Sequence, residues 1–278
     1  MSSAFDVLVD KVLVQDTGLS VLRTAVEKEI LHHDIIRIMN GAGFLEKLAF
    51  MGGTCLRMCY GSSRLSEDLD FTGGFDFSKD ELTDFSAILK EKIGKKYGLD
   101  VTVTEPRREE GNTDTWKIKV ITQPERPDFP AQKINIDICR LPARDKKVRM
   151  LNNHYGMDFG TGDLLLYAES MEEILCDKLI AFANRPNRVK NRDLWDIFWL
   201  SRKGVQKNES LLSQKLSDRR IDGETYREKY AARLAEINGG QKHFLEEMKR
   251  FLLPGCLSET FTSPLWWDYL LQLLSELC

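Results

Sequence analysis

Two apolar periods share the first 165 residues of the chain, and only one of them continues beyond residue 170. In the first part, "SEDLDF", "DVTVTEP", "TWKIKVITQ" and "QKINIDICRL" alternate in the manner of strands, and the second half of "FLEKLAF" (44–50) reads as a short buried strand. Helices lie among them. Leu22, Val26, Ile30, Ile35 and Ile38 recur near a 3.6 period and predict a helix over Leu19–Met39, ended by "NGAG". Thr54 to Tyr60 predicts a short helix stopped by Gly61, and Ser78 with Glu81 forms a capping box opening a helix to about Tyr97. Residues 141–163 read as irregular loop. A second capping box, Ser170 with Glu173, opens "MEEILCDKLIAFANR", and further helices follow at 192–202, 209–220, 224–237, 241–253 and 264–277. The expected class is α+β: a mixed-sheet domain over 1–165, then an all-helical domain over 166–278.

A chain of 278 residues is long enough to bury a sizeable core in one elaborated domain or two packed ones. Its net charge of −3 gives no global basic field, so a nucleic-acid partner would need a local patch. Cys55, Cys59, Cys139, Cys176, Cys256 and Cys278 contain no C-x-x-C pair, and no signal peptide is recognisable; reduced thiols in a cytoplasmic protein are expected. The histidines lack zinc-site spacing, and no apolar run is long enough for a membrane span.

Within "SEDLDF", Asp68 and Asp70 point to one face of a strand while Leu69 and Phe71 point to the other. Such a pair is either a solvated strand face or a metal pair. Two neighbouring carboxylates repel, a cation relieves the repulsion, and hard oxygen donors suit Mg²⁺ or Mn²⁺.

Upstream, Gly52, Gly53 and Thr54 open a helix. They form either a tight turn chosen for its backbone angles or a phosphate cradle at a helix N-terminus. Arg57 and Arg64 are candidate neutralising groups or structural arginines. In "KINIDICR", Asn135, Asp137 and Cys139 share a face. If this strand lies beside the first, Asp137 joins Asp68 and Asp70; otherwise it is an exposed polar residue.

In the helical part, Lys178 sits in an apolar stripe with Ile174 and Phe182, and either snorkels or reaches a ligand. Arg185, Arg188, Lys190 and Arg192 precede Asp193 and Asp196, which are i, i+3 neighbours on one helix face. This is a salt-bridge network or a triphosphate clamp with its orienting acids.

Together these blocks resemble the AbiEii/AbiGii nucleotidyltransferase toxins of the polymerase-β-like superfamily. The resemblance is carried by Gly52, Gly53, Thr54, Leu56, Arg57, Tyr60, Arg64, Ser66, Asp68, Leu69, Asp70 and Phe71, then by Lys178 with Arg192, Asp193 and Asp196. Asp137 stands where the superfamily keeps a third carboxylate. One departure is Thr54, where the wider superfamily has serine; the hydroxyl is retained. The likeness implies a polymerase-β-like nucleotidyltransferase lobe followed by a helical lobe. It implies NTP as substrate with Mg²⁺ or Mn²⁺, and transfer of a nucleoside monophosphate with release of pyrophosphate. It further implies a tRNA 3′ end as acceptor, a cognate antitoxin encoded alongside, and service in a toxin–antitoxin or abortive-infection system.

On that reading Asp68, Asp70 and Asp137 bind metal, and Gly52, Gly53, Thr54, Arg57, Arg64 and Ser66 face the nucleotide. Lys178 holds the triphosphate, positioned by Arg192, Asp193 or Asp196. Two basic stretches, Arg185 to Arg192 and Arg140 to Arg149, are expected to guide RNA toward Asp137. The alternatives are a protein hydroxyl or small molecule as acceptor, or a protein that holds NTP without turnover.

Overall fold

The computed structural model describes residues 3–15, 17–106, 111–126, 128–257 and 259–278; the polar stretch between "DVTVTEP" and "TWKIKVITQ", which reads as a loop over 106–113, falls partly on residues outside that set. The chain forms two compact units. One comprises Met1–Gly61 and Leu65–Ala168, the other Ser62–Arg64 and Glu169–Cys278.

The first unit is built on a seven-stranded sheet of β1 (Ala49–Met51), β2 (Leu69–Thr72), β3 (Asp100–Thr104), β4 (Thr113–Ile121), β5 (Gln132–Cys139), β6 (Lys146–Met150) and β7 (Leu165–Glu169). The order is β3-β4-β5-β2-β1-β7-β6. The β2–β5 and β1–β7 pairs are parallel, whereas β1–β2, β3–β4 and β4–β5 are antiparallel, so the sheet is mixed. Alternation puts Trp116, Ile118, Val120, Ile134, Ile136 and Ile138 in the core. Among the described residues the helices of this unit are α1 (Ala4–Gln15), α2 (Arg23–Gly41), α3 (Gly52–Tyr60) and α4 (Phe85–Tyr97). α2 packs on α1, α4 and β5, and α3 packs on β1 and β2.

α2 departs from a simple amphipathic helix. Besides its apolar stripe it buries Glu27, Glu29, His32, His33 and Asp34. Each has a partner: Gln132 donates to Glu27, Arg57 to Glu29 and Tyr97 to Asp34, while His32 meets the Glu67 carbonyl and His33 the Thr161 hydroxyl. Burial of these groups is tolerated because their hydrogen bonds are made inside the protein.

Three sequence expectations are corrected. The helix expected from Ser78 to Tyr97 is broken: the capping box is present, but it opens only a 3₁₀ turn over Lys79–Leu82. Asp84 then adopts φ 63 before α4 begins. The first helix starts as a 3₁₀ turn at Thr17–Leu22, with α2 following. The region 141–163 is not all loop, since β6 lies within it; its exposed "KKVRM" has no buried face to produce alternation.

The second unit is helical: α5 (Met171–Asn184), α6 (Asn191–Arg202), α7 (Glu209–Asp218), α8 (Gly223–Glu236), α9 (Gln241–Met248), α10 (Glu259–Thr262) and α11 (Pro264–Glu276). Ser170 caps α5 by accepting from the Glu173 amide at 3.1 Å. The Glu173 carboxylate accepts from the buried Lys215 at 2.6 Å. α5 is the central helix, packed on α6, α7 and α8, and an aromatic cluster of Trp195, Phe198, Phe261 and Trp266 joins α6 to α10 and α11. No helix among the described residues is long and apolar enough to cross a membrane.

Candidate active site

β2 enters the sheet at Leu69 with Asp68 just ahead of it and Asp70 within it. The register sets Met51 beside Asp70, Asp70 beside Asp137, and Asp137 beside Thr115. One row across four strands thus carries two carboxylates on adjacent parallel strands, about 4.8 Å apart in backbone spacing. Both aspartates are half-buried. They share the polar face because Leu69, Phe71, Ile136 and Ile138 occupy the buried one.

The row is tightly supported. Gly52, the first residue of α3, has φ +75, and a Cβ placed there would lie 2.6 Å from Asp70 Oδ2. Glycine is required both for the backbone angle and for room beside the carboxylate. The start of α3 therefore sits against Asp70, where unpaired amides and the helix dipole favour negative charge. Asp68 Oδ1 accepts from the Asn135 amide at 3.0 Å. The Thr54 hydroxyl donates to the Asp68 carbonyl, tying the first turn of α3 to the entry of β2. Thr115 donates to Asp137 Oδ1 at 2.6 Å. Sequence reasoning did not single out Thr115. The only trace was its place in an alternating strand, and that pattern does not say which strand lies next to it.

Hard carboxylate oxygens suit Mg²⁺ or Mn²⁺. Among the described residues no group of three or more His, Cys, Asp or Glu side chains is arranged to hold a metal ion, so Asp68, Asp70 and Asp137 do not form a closed cage. The row supplies a pair, Asp70 and Asp137. Mg²⁺ is commonly held by one or two carboxylates together with substrate phosphates, so the pair fits such an ion.

Gly53, Thr54 and Ser66 are buried. Arg57 is buried too, and its guanidinium donates to Glu29 at 2.7 Å, with Tyr155 donating to the same carboxylate. Burial alone would lower the Arg57 pKa, but the Glu29 charge raises it above the usual range. This arrangement accounts for Arg57 as a structural cation.

The helical unit carries a second cluster. Lys178 on α5 is 2.7 Å from Asp193 and 2.8 Å from Asp196, both on α6. Arg64 forks onto Asp196 with two bonds of 2.7 Å, and Arg185 reaches Asp193 at 2.8 Å. Burial works against the charges of Lys178, Asp193 and Asp196, yet the ion pairs prevail. Lys178 is held above its usual range, and Asp193 and Asp196 below theirs. Three cations, Arg64, Lys178 and Arg185, face two carboxylates, so the cluster keeps an excess positive charge suited to an anion. Arg192 places its guanidinium 4.7 Å from the Phe251 ring. In the Arg140–Arg149 stretch, Arg140 forks onto Asp114, Lys147 pairs with Asp145, and Arg149 stacks on Tyr60.

The chain matches the family described as nucleotidyl transferase AbiEii toxin, type IV TA system, over residues 37–270. It belongs to that family. It is a nucleotidyltransferase of the toxin–antitoxin class. The nucleotidyltransferase toxin MenT4 of Mycobacterium tuberculosis shares its fold, with a TM-score of 0.54 and 18% identity over 73% of this chain and 67% of that one. JHP933 of Helicobacter pylori gives a TM-score of 0.48 at 18% identity, covering 90% of this chain and 94% of that one. No protein of curated function matches the chain in sequence.

Proposed function

We propose that this AbiEii-family enzyme transfers a nucleoside monophosphate from an NTP to the 3′ hydroxyl of an RNA, tRNA being the expected acceptor. The acceptor oxygen bonds to the α-phosphorus, the bond from that phosphorus to the β-phosphate oxygen breaks, and pyrophosphate leaves. The observation that carries this reading is the Asp70–Asp137 row with the start of α3 packed against Asp70.

In this reading Asp70 and Asp137 hold a divalent cation together with substrate phosphates, and Asp68 joins them through the oxygen not turned to Asn135. The ion, Mg²⁺ or Mn²⁺, supplies charge neutralisation on the triphosphate and acidifies the attacking hydroxyl. Asp137, oriented by Thr115, receives the acceptor's proton. Gly52 and Gly53 let the backbone of α3 approach phosphate. Within the helical unit Lys178 is the candidate phosphate-binding group, with Asp193 and Asp196 fixing its ammonium and Arg64 fixing Asp196. Catalysis of this kind is mainly positioning and charge compensation. A cognate antitoxin and a cytoplasmic site of action complete the reading.

Incubation with each labelled NTP, Mg²⁺ and total cell extract tests the proposal. Label in RNase-sensitive material, abolished by Asp70→Asn, is the expected result. Label in protease-sensitive material would overturn the RNA acceptor, and NTP binding without any labelled product would overturn transfer.

A further inference from the structure

The face that carries Asp70 and Asp137 continues across β5, β4 and β3. Beyond Asp137 it presents Lys133 and Asn135 on β5, Thr115, Lys117 and Lys119 on β4, and Thr102 and Thr104 on β3. Lys117, Lys119, Lys133, Thr102 and Thr104 are all exposed. The register places Lys119 directly beside Lys133, with Lys117 one pleat away, next to Asn135. Like charges set directly opposite one another across a strand pair are unfavourable. The lysines do not guard a sheet edge, because β4 and β5 are both interior strands. Asp100 also lies on this face, opposite Ile121, and among the described residues it makes no salt bridge to any of the three lysines. Three exposed lysines with no carboxylate paired to them among the described residues leave a local positive patch on an open face, and a polyanion bound there would relieve their repulsion.

We propose that this exposed face of β3, β4 and β5 is the docking surface for the acceptor's phosphodiester backbone, leading its 3′ end to the Asp70–Asp137 row. The inference rests on the RNA-acceptor reading above and names the surface that reading needs. Lys133 lies four residues from Asp137, about 13 Å along the strand, which spans a short single-stranded end. Lysines and threonine hydroxyls contact phosphates without reading bases. No aromatic side chain shares the rows, since Trp116 faces the core. Binding is therefore sequence-tolerant and governed by salt.

The test uses the full chain, total tRNA and a short oligoribonucleotide with a free 3′ hydroxyl. Binding is measured against salt concentration for the wild type and for Lys117→Gln/Lys119→Gln/Lys133→Gln. Each lost phosphate contact removes about 0.7 from the log–log salt slope for a single strand, so the triple variant should flatten it by about 2 and weaken binding about tenfold or more at low salt. Mg²⁺–NTP affinity should be unchanged. A second variant, Lys133→Glu, places an opposite charge beside Lys119. It should keep or raise the melting temperature while weakening RNA binding; a purely structural role would lower the melting temperature and spare the RNA. If the wild type labels RNA and the triple variant binds and labels it equally, this surface is wrong and the transferase reading stands. If the wild type labels protein instead, the acceptor reading and this inference fall together.

Discussion

A Cβ on Gly52 would stand 2.6 Å from Oδ2 of Asp70, closer than any real side chain tolerates. The same glycine holds φ +75, a region that costs other residues about 1–2 kcal/mol. Gly52→Ala should therefore displace Asp70 from its place beside Asp137. Expected are a stability loss of about 1–3 kcal/mol in chemical denaturation and at least a tenfold fall in nucleotide transfer. Full activity would show that the approach of α3 to Asp70 is incidental.

Thr115→Val removes the hydroxyl that donates to Asp137 Oδ1 while keeping the shape. Both groups are half-exposed, so water replaces much of the bond and stability should change by less than about 1 kcal/mol. Turnover should fall about tenfold with KM for NTP unchanged, since the carboxylate loses orientation rather than substrate contact. Thr115→Ser should restore most of the rate. Equal losses in the valine and serine variants would refute a role for the hydroxyl.

The ion cluster of the helical unit separates fold from binding. Asp196→Ala leaves Arg64 buried without its bidentate partner and should cost about 3–5 kcal/mol. Lys178→Met leaves Arg64 with Asp196 and Arg185 with Asp193, a balanced set, so its cost in stability should be smaller. Its main effect should be on Mg²⁺–NTP affinity, read by calorimetric titration. Unchanged affinity would make Lys178 a structural lysine.

Burial pushes His32 and His33 down from the usual 6.5 to about 4. Among the described residues His32 Nδ1 and His33 Nε2 have no hydrogen-bond partner, as befits neutral rings. The unfolded chain therefore binds more protons between these values, and stability is lost as pH falls from about 6.5 to about 4. Each histidine contributes about 1.4 kcal/mol per pH unit within that window. The depressed Asp193 and Asp196 act in the same direction, but only below the ordinary carboxylate range. Equilibrium denaturation across pH 4–7 should show the slope, and His32→Gln with His33→Gln should flatten it. The buried Glu169, pushed above its usual range by burial, acts in the opposite direction, so the comparison of variant with wild type decides; an unchanged slope in the double variant would mean the rings titrate normally.

Local pattern alone carried a good part of this molecule. Period-2 alternation put Asp70 opposite the buried Leu69 and Phe71, glycines marked the start of α3, and capping residues with a 3.6 period announced the helical half. These features depend on neighbours a few residues apart, which a sequence displays directly. Asp137 could be named as a candidate, but its place was conditional on β5 lying beside β2. Only the tertiary structure decided that register, and with it the contact of Thr115 with Asp137 and the Lys119–Lys133 pair. It likewise decided that Arg57 serves Glu29, that both Asp193 and Asp196 hold Lys178, and that α2 buries five polar side chains. It also found β6 in what reads as loop. The physical reason is common to all of them. Strand order and buried ion pairing are set by how distant segments jointly cover apolar surface and satisfy polar groups, and neither quantity is a property of any short stretch of chain.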